Sequence, residues 1–177
     1  KHQVVNAAGV VAVLKMLGPQ VAVTRAALME GLRAQAIRGR LEVYRGPPEV
    51  IVDVGHNVSA ADRLVEFLDE RPIAGCTLGV FSMLKDKPTV AVVERLRGAI
   101  GCWHIAELQE DRALPGAELK KIVFEGTTAS VHCWGSPQEA FRGAWEEAQP
   151  VDRIVVFGSA YLAGAILQTL DHESPQA

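Results

Sequence analysis

The chain has 177 residues, 49% of them apolar, and a formal net charge of −3. That length and composition suit one domain, or one domain with an attached piece, with enough apolar residues to fill a core. There is no basic block and no apolar run near the ~20 residues of a membrane-spanning helix, which weighs against nucleic acid and membrane as partners. Three cysteines (Cys76, Cys102, Cys133) lie far apart, without metal-ligand spacing. They are expected to be buried free thiols of a reducing, cytoplasmic compartment, with no metal site.

Val4 to Leu17 is rich in Ala, Val and Leu and stops at Gly18-Pro19, the pattern of a buried helix. Thr24 caps a second predicted helix, Arg25 to Ala34. A boundary is placed near 36–40, with 37–40 as linker. Strands and helices then alternate. Leu41–Arg45 and Glu49–Val54 are strands joined by the tight turn Gly46-Pro47-Pro48, which predicts an antiparallel pair. Helix Ser59–Glu70, strand Cys76–Ser82, helix Pro88–Arg97 with proline in its first turn, strand Cys102–Ala106 and helix Gly116–Phe124 follow. Strand Thr128–Cys133 leads to helix Pro137–Ala148, capped by Ser136. Arg153–Phe157 reads as a fully buried parallel strand, followed by helix Tyr161–Leu170 and a loose tail, 172–177. The alternation predicts an α/β fold: a Rossmann-like, doubly wound, mostly parallel six-stranded sheet with one antiparallel strand.

The residues that could carry chemistry gather at strand ends. Val50 to Val52 is an apolar run closed by Asp53, and His56 and Asn57 stand where the next helix begins. Ligands bind at that edge of open α/β sheets, and a helix N-terminus offers free N–H groups to an anion. Arg40 lies thirteen residues before Asp53. If the two strands pair, Arg40 is brought near the Asp53 end, where it could hold phosphate oxygens while the carboxylate takes a ribose hydroxyl. An Arg40–Asp53 ion pair is the plainer alternative. Gly158-Ser159-Ala160-Tyr161 closes the last buried strand and forms either an anion-binding turn or simply a cap. The charged loop Lys85-Asp86-Lys87 follows a third strand and is a possible site loop. Asn6 sits in an otherwise apolar helix, facing either solvent or a ligand.

Taken in order, these stretches resemble the C-terminal part of the Mur ligase superfamily, in particular its dihydrofolate synthase/folylpolyglutamate synthase branch. The stretches are His2-Gln-Val-Val-Asn6-Ala-Ala, Gly39-Arg40-Leu41-Glu42, Asp53-Val-Gly-His56-Asn57, Met83-Leu-Lys-Asp86-Lys87, Asp111-Arg112-Ala113 and Gly158-Ser159-Ala-Tyr161-Leu. The resemblance implies an ATP- and Mg²⁺-dependent amide ligase that joins L-glutamate to dihydropteroate or a folate through an acyl phosphate. It implies ATP contacts for Asn6 (adenine), Arg40 (phosphates) and Asp53. His56 and Ser159 match positions associated with the incoming glutamate, and their neighbours Asn57 and Tyr161 are assigned with them. The family's Gly-Lys-Ser phosphate loop and its Mg²⁺ ligands are absent from these residues. Residues 1–36 are therefore expected to be the last helices of an ATPase domain and 41–171 the glutamate-binding domain, a piece inactive alone, from a parent expected to be monomeric. Gly55 stands where Ala is usual, Val58 where Pro is usual, and Pro88 where an acid is common. A cell-wall Mur ligase, or a non-catalytic Rossmann-like binding module, are the other readings.

Overall fold

The computed structural model describes residues 2–34, 37–125 and 127–173. Residues 1, 35 and 36 of the expected first piece, and residues 174–177 of the expected loose tail 172–177, lie outside them. Contacts divide the chain into two compact units, Lys1–Ile37 and Arg38–Ala177.

The first unit carries helix α1 (His2–Leu17), a 3-10 turn (Gly18–Val21) and helix α2 (Arg25–Ala34). Thr24 caps α2, its Oγ1 accepting from the Ala27 N–H at 3.2 Å. α1 has no polar stripe, and Val10, Val13 and Met16 are exposed, Met16 to 87%. An open groove of about 480 Å³ within this unit is lined by Asn6, Val10, Val23, Leu28 and Leu32.

The second unit is built on a six-stranded sheet. Strands β1 (Glu42–Tyr44), β2 (Glu49–Asp53), β3 (Thr77–Phe81), β4 (Cys102–Ala106), β5 (Ser130–Trp134) and β6 (Arg153–Phe157) stand in the order β1-β2-β6-β3-β4-β5. β1 is antiparallel to β2, and all other pairs are parallel. The tight Pro-rich turn thus produces the antiparallel edge pair that it predicts. The buried run Arg153–Phe157 lies between β2 and β3.

Alternation along the strands sends side chains to two cores. Val50, Val52, Val80, Ile154 and Val156 pack with Phe141 and Ala144 of helix α6 (Pro137–Glu147) and Leu162 and Ile166 of helix α7 (Ala160–Glu173). Ile51, Phe81, Trp103, Val155 and Phe157 pack on the other face. There they meet helices α3 (Val58–Asp69), α4 (Thr89–Leu96) and α5 (Gly116–Phe124). The sheet is therefore covered on both faces, as the alternation of elements requires.

The structure departs from the sequence pattern at several places. α7 runs on through His172 and Glu173. Leu167 and Leu170 bury its inner face, and Asp171 pairs with Arg38 at 3.0 Å, so the helix is held past Leu170. Pro88 is the N-cap of α4 rather than a residue of its first turn, and makes no side-chain cap. Of the cysteines, Cys102 alone is buried. Cys76 precedes β3 and Cys133 lies on the edge strand β5, and both are exposed.

Arg153, read only as the start of a strand, is 2% exposed. Its Nε donates to Glu49 Oε2 at 3.1 Å, and its Nη2 donates to the Arg71 carbonyl. Arg71 also reaches Glu49, at 2.6 Å. Removing one partner of a buried pair leaves the other charge uncompensated. Glu49→Ala is expected to cost about 3 kcal/mol in urea unfolding, and a cost below ~1 kcal/mol, the range of exposed pairs, would contradict this reading.

His104 on β4 is wholly buried, and its Nδ1 accepts from the Trp134 indole N–H at 3.2 Å. Burial lowers its pKa from 6.5 to about 4, against the pull of Glu147 at 3.3 Å. His132 stacks beside it, and the Cys102 sulfur is 3.5 Å from its Nε2. As pH falls through the ordinary histidine range, the unfolded chain takes up a proton that the folded chain refuses until about pH 4. Stability is therefore complete above about pH 6.5 and is lost progressively below it. Urea unfolding should lose about 2 kcal/mol between pH 7.5 and pH 4.5 from this group. His104→Gln should flatten that limb.

Candidate functional site

β2 and β6 are parallel neighbours whose following helices cover opposite faces of the sheet. Their carboxyl ends therefore form a topological switch point, the place where ligands bind in open α/β sheets. Six of the residues singled out in the sequence, Arg40, Asp53, His56, Asn57, Ser159 and Tyr161, stand on the segments bordering that point.

Asp53 ends β2 and is 7% exposed. Its Oδ1 accepts from the Gly55 N–H at 2.6 Å and its Oδ2 from the Leu41 N–H at 3.0 Å. The Arg40–Asp53 ion pair, the plainer alternative, is not formed; the carboxylate instead clamps two backbone segments. Val54 N–H completes the clamp by donating to the Gly39 carbonyl at 2.8 Å. The turn before β1 is tightly wound, with positive φ at Gly39 (66°) and at Leu41 (47°). A non-glycine residue in that region is strained, so Asp53 and Gly39 together hold a turn that Leu41 alone would not favour. Arg40 stands between them, exposed, and pairs with no carboxylate among the described residues.

His56 is half-buried, with Nδ1 3.0 Å from the Val54 carbonyl, a contact that orients the ring. Asn57 caps α3 and accepts from the Ala60 N–H at 2.9 Å. A side chain at Gly55 would collide with Asp53 Oδ1 and come within 2.6 Å of the Ala60 methyl, so this turn is closed to alanine as it stands.

The β6 loop meets this one directly: Gly158 N–H donates to the Gly55 carbonyl at 3.0 Å. Gly158 has φ +100°, and an added Cβ would strike the Ser82 carbonyl at the end of β3. Ser159 is 2% exposed, its Oγ accepting from the Tyr161 N–H at 3.2 Å, so its hydroxyl serves the start of α7. Tyr161 is 46% exposed. The N-termini of α3 and α7 thus flank the switch point, with the loops ahead of them hydrogen-bonded to each other. Such an arrangement offers N–H groups and positive partial charge to an anion.

Lys85, Asp86 and Lys87 form a self-paired loop. Lys85 Nζ donates to the Asp111 carbonyl at 2.9 Å, and Asp86 pairs with Lys87 at 2.8 Å and with Arg112 at 2.9 Å. Lys87 and Arg112 hold the Asp86 carboxyl down to about 2. A bridge between Leu84 and Ala113 ties the two loops. The Asp111-Arg112-Ala113 stretch is thereby explained as the partner of the Lys85–Lys87 loop. Asn6 belongs to the first unit, where it is exposed and lines the groove there.

Sequence reading passed over Ser82. It is 1% exposed, its hydroxyl has no hydrogen-bond partner among the described residues, and it stands beside Gly158 at the end of β3. A serine following an apolar strand that ends at the ligand edge was the available signal.

A six-stranded, doubly wound sheet with a switch point between β2 and β6 places the chain in the class of open α/β domains, in which ligands bind outside the carboxyl ends of the strands. Residues 39–160 match the family model for the Mur ligase, glutamate ligase domain, and the chain belongs to that family. It is similar to dihydrofolate synthase/folylpolyglutamate synthase of Escherichia coli K12, with 27% identity over 94% of this chain and 38% of the relative. The Haemophilus influenzae enzyme of the same name is 36% identical over 72% of this chain and 32% of the relative. The chain thus spans less than two fifths of these relatives. Among solved structures, E. coli FolC in complex with DHPP and ADP superposes with a TM-score of 0.80. It shares 26% identity and covers 94% of this chain and 39% of that one. A bifunctional folylpolyglutamate synthase/dihydrofolate synthase with Mn, AMPPNP and L-glutamate bound gives a TM-score of 0.74. It shares 27% identity and covers 85% of this chain and 36% of that one. No described helix is long and apolar enough to cross a membrane.

Proposed function

We propose that this chain is the C-terminal part of a cytoplasmic, ATP-dependent ligase that joins L-glutamate to dihydropteroate, to a tetrahydrofolate, or to both. The observation that carries the reading is the β2–β6 switch point itself. Two helix N-termini flank it, and an exposed arginine, without a carboxylate partner among the described residues, stands beside it. Similarity to dihydrofolate synthase/folylpolyglutamate synthases, and to structures of such proteins in complex with ADP or with AMPPNP and L-glutamate, supports the same reading.

In the proposed reaction ATP supplies the phosphoryl group that converts the pterin-linked carboxylate to an acyl phosphate, releasing ADP. The glutamate amine then attacks that carbonyl carbon, the amide bond forms, and phosphate leaves. Arg40 is suited to bind phosphate oxygens, where a guanidinium matches developing charge. Asp53 keeps a lone pair on each oxygen after accepting its two backbone N–H groups, enough to take a ribose hydroxyl. His56, Asn57 and the α3 N-terminus would receive the glutamate carboxylates, with Ser159 and Tyr161 positioned by the α7 start. Asn6 would contact adenine, and the Lys85–Lys87 loop would border the site. The divalent metal is assigned to residues outside this chain, along with the phosphate loop. Residues 1–36 are read as the end of the ATPase domain, and the isolated chain is expected to be inactive.

The test is an ADP-release assay on the longer enzyme with ATP, Mg²⁺, L-glutamate and either a pterin substrate or a UDP-muramoyl substrate. Turnover only with dihydropteroate or tetrahydrofolate is expected. Turnover only with the muramoyl substrate would move the protein to the cell-wall branch. No turnover with any of them would leave a binding module.

A further inference from the structure

Cys102, His132 and Glu147 are far apart in the chain, on β4, β5 and the end of α6. The parallel register of β4 and β5 sets Cys102 opposite Ser130 and His104 opposite His132. The last turn of α6 then brings Glu147 over the same patch. One ligand atom from each of Cys102, His132 and Glu147 lies within 4.8 Å of the other two. His132 Nε2 and Glu147 Oε2 are 3.7 Å apart. A tetrahedral zinc site with bonds of about 2.0–2.3 Å has ligand-to-ligand edges of roughly 3.3–3.8 Å. The carboxylate–imidazole edge is already of that length, and the sulfur needs a shift of under about 1.5 Å.

We propose that Cys102, His132 and Glu147 form a binding site for a borderline-soft divalent cation, Zn²⁺ in the first place, with water in the fourth position. A thiolate, an imidazole and a carboxylate together select such an ion over Mg²⁺ or Ca²⁺, which take all-oxygen sets. His104 is the positioning residue. Because the Trp134 indole N–H points at its Nδ1, its proton sits on Nε2, which faces Glu147 at 3.3 Å. An imidazole in that tautomer cannot bind metal through Nε2, but it can orient the ligating carboxylate, the usual outer partner of a metal ligand. Gly143 makes room for this arrangement, since a Cβ there would collide with the Trp134 ring. His132 and Glu147 are exposed, which leaves an entry path, while Cys102 is buried against the α6 face of the sheet. Binding would expel the thiol proton and pin the end of α6 to the two outermost parallel strands. The site is separated from the switch point by β3, and nothing in it depends on the ligase reading.

The experiment is titration of the reduced, chelator-treated chain with Zn²⁺ by calorimetry and with Co²⁺ by absorption. One ion per chain is expected, with the thiolate-to-cobalt charge-transfer band in the near ultraviolet. Cys102→Ser, His132→Asn and Glu147→Gln should each weaken binding at least about 100-fold, and His104→Gln about 10–100-fold with the band retained. Cys76→Ser and Cys133→Ser should bind like wild type. If Cys102→Ser does not fold, the two exposed variants decide: weakened binding in both supports the site, and unchanged binding overturns it. Absence of stoichiometric binding, absence of the charge-transfer band, or a band lost in Cys133→Ser or Cys76→Ser would also overturn it.

Discussion

Arg40→Ala in the longer enzyme is expected to lower kcat for glutamate ligation by about 10²–10³-fold, the usual cost of removing one group that meets developing charge. The same change should leave folding stability within about 0.5 kcal/mol of wild type, because Arg40 is exposed and without a carboxylate partner among the described residues. That combination separates a ligand-binding arginine from a structural one. Arg40→Lys should recover only part of the rate, since an ammonium lacks the bidentate fork. A variant with normal turnover, or one that loses stability instead, would remove Arg40 from the site. The rigid turn around the arginine is the reason to expect a large effect. Gly39 and Leu41 are both at positive φ and are tied to Val54 and Asp53, so the arginine's backbone is fixed before any ligand arrives.

Gly158→Ala is expected to cost at least about 3 kcal/mol, combining backbone strain at a φ that L residues avoid with steric overlap. The overlap is with the Ser82 carbonyl and the Phe81 ring, neither of which can turn away cheaply. The damage should also reach function, because Gly158 N–H is the bond between the β6 loop and Gly55. Gly164→Ala is the matched control six residues along. It lies within α7 with open space around its Cα, so it should be neutral or stabilising by up to ~1 kcal/mol. Urea unfolding of both variants reads the contrast. Equal effects would mean that the β6–α7 turn is not the constrained element.

Much of this fold is legible in the chain because local and global signals agree. Apolar runs such as Val50–Val52 and Ile154–Phe157 mark strands buried on both faces. Thr24, Asn57 and Ser136 mark helix starts, and each side chain accepts the expected backbone N–H. What sequence could not show are relations set by register and by packing between distant elements. Asp53 reads as a ligand group, yet its immediate partners are two backbone N–H groups, one of which, from Leu41, is presented by the positive-φ turn at Gly39 and Leu41. Arg153 reads as a polar strand start, yet Glu49 and Arg71 allow it to be buried. The cysteines read as unrelated thiols, because Cys102 and His132 are thirty residues apart and meet only through the β4–β5 register. Ser82 gives no signal beyond its place after a strand.

The central claim is that nucleotide and amino acid are held side by side at the β2–β6 switch point. The most direct measurement is a crystal structure of the longer enzyme with a non-hydrolysable ATP analogue and L-glutamate. Phosphate oxygens are expected within hydrogen-bond distance of the Arg40 guanidinium, and a glutamate carboxylate at the α3 N-terminus beside His56. Both ligands bound away from the carboxyl ends of β2 and β6 would contradict the claim.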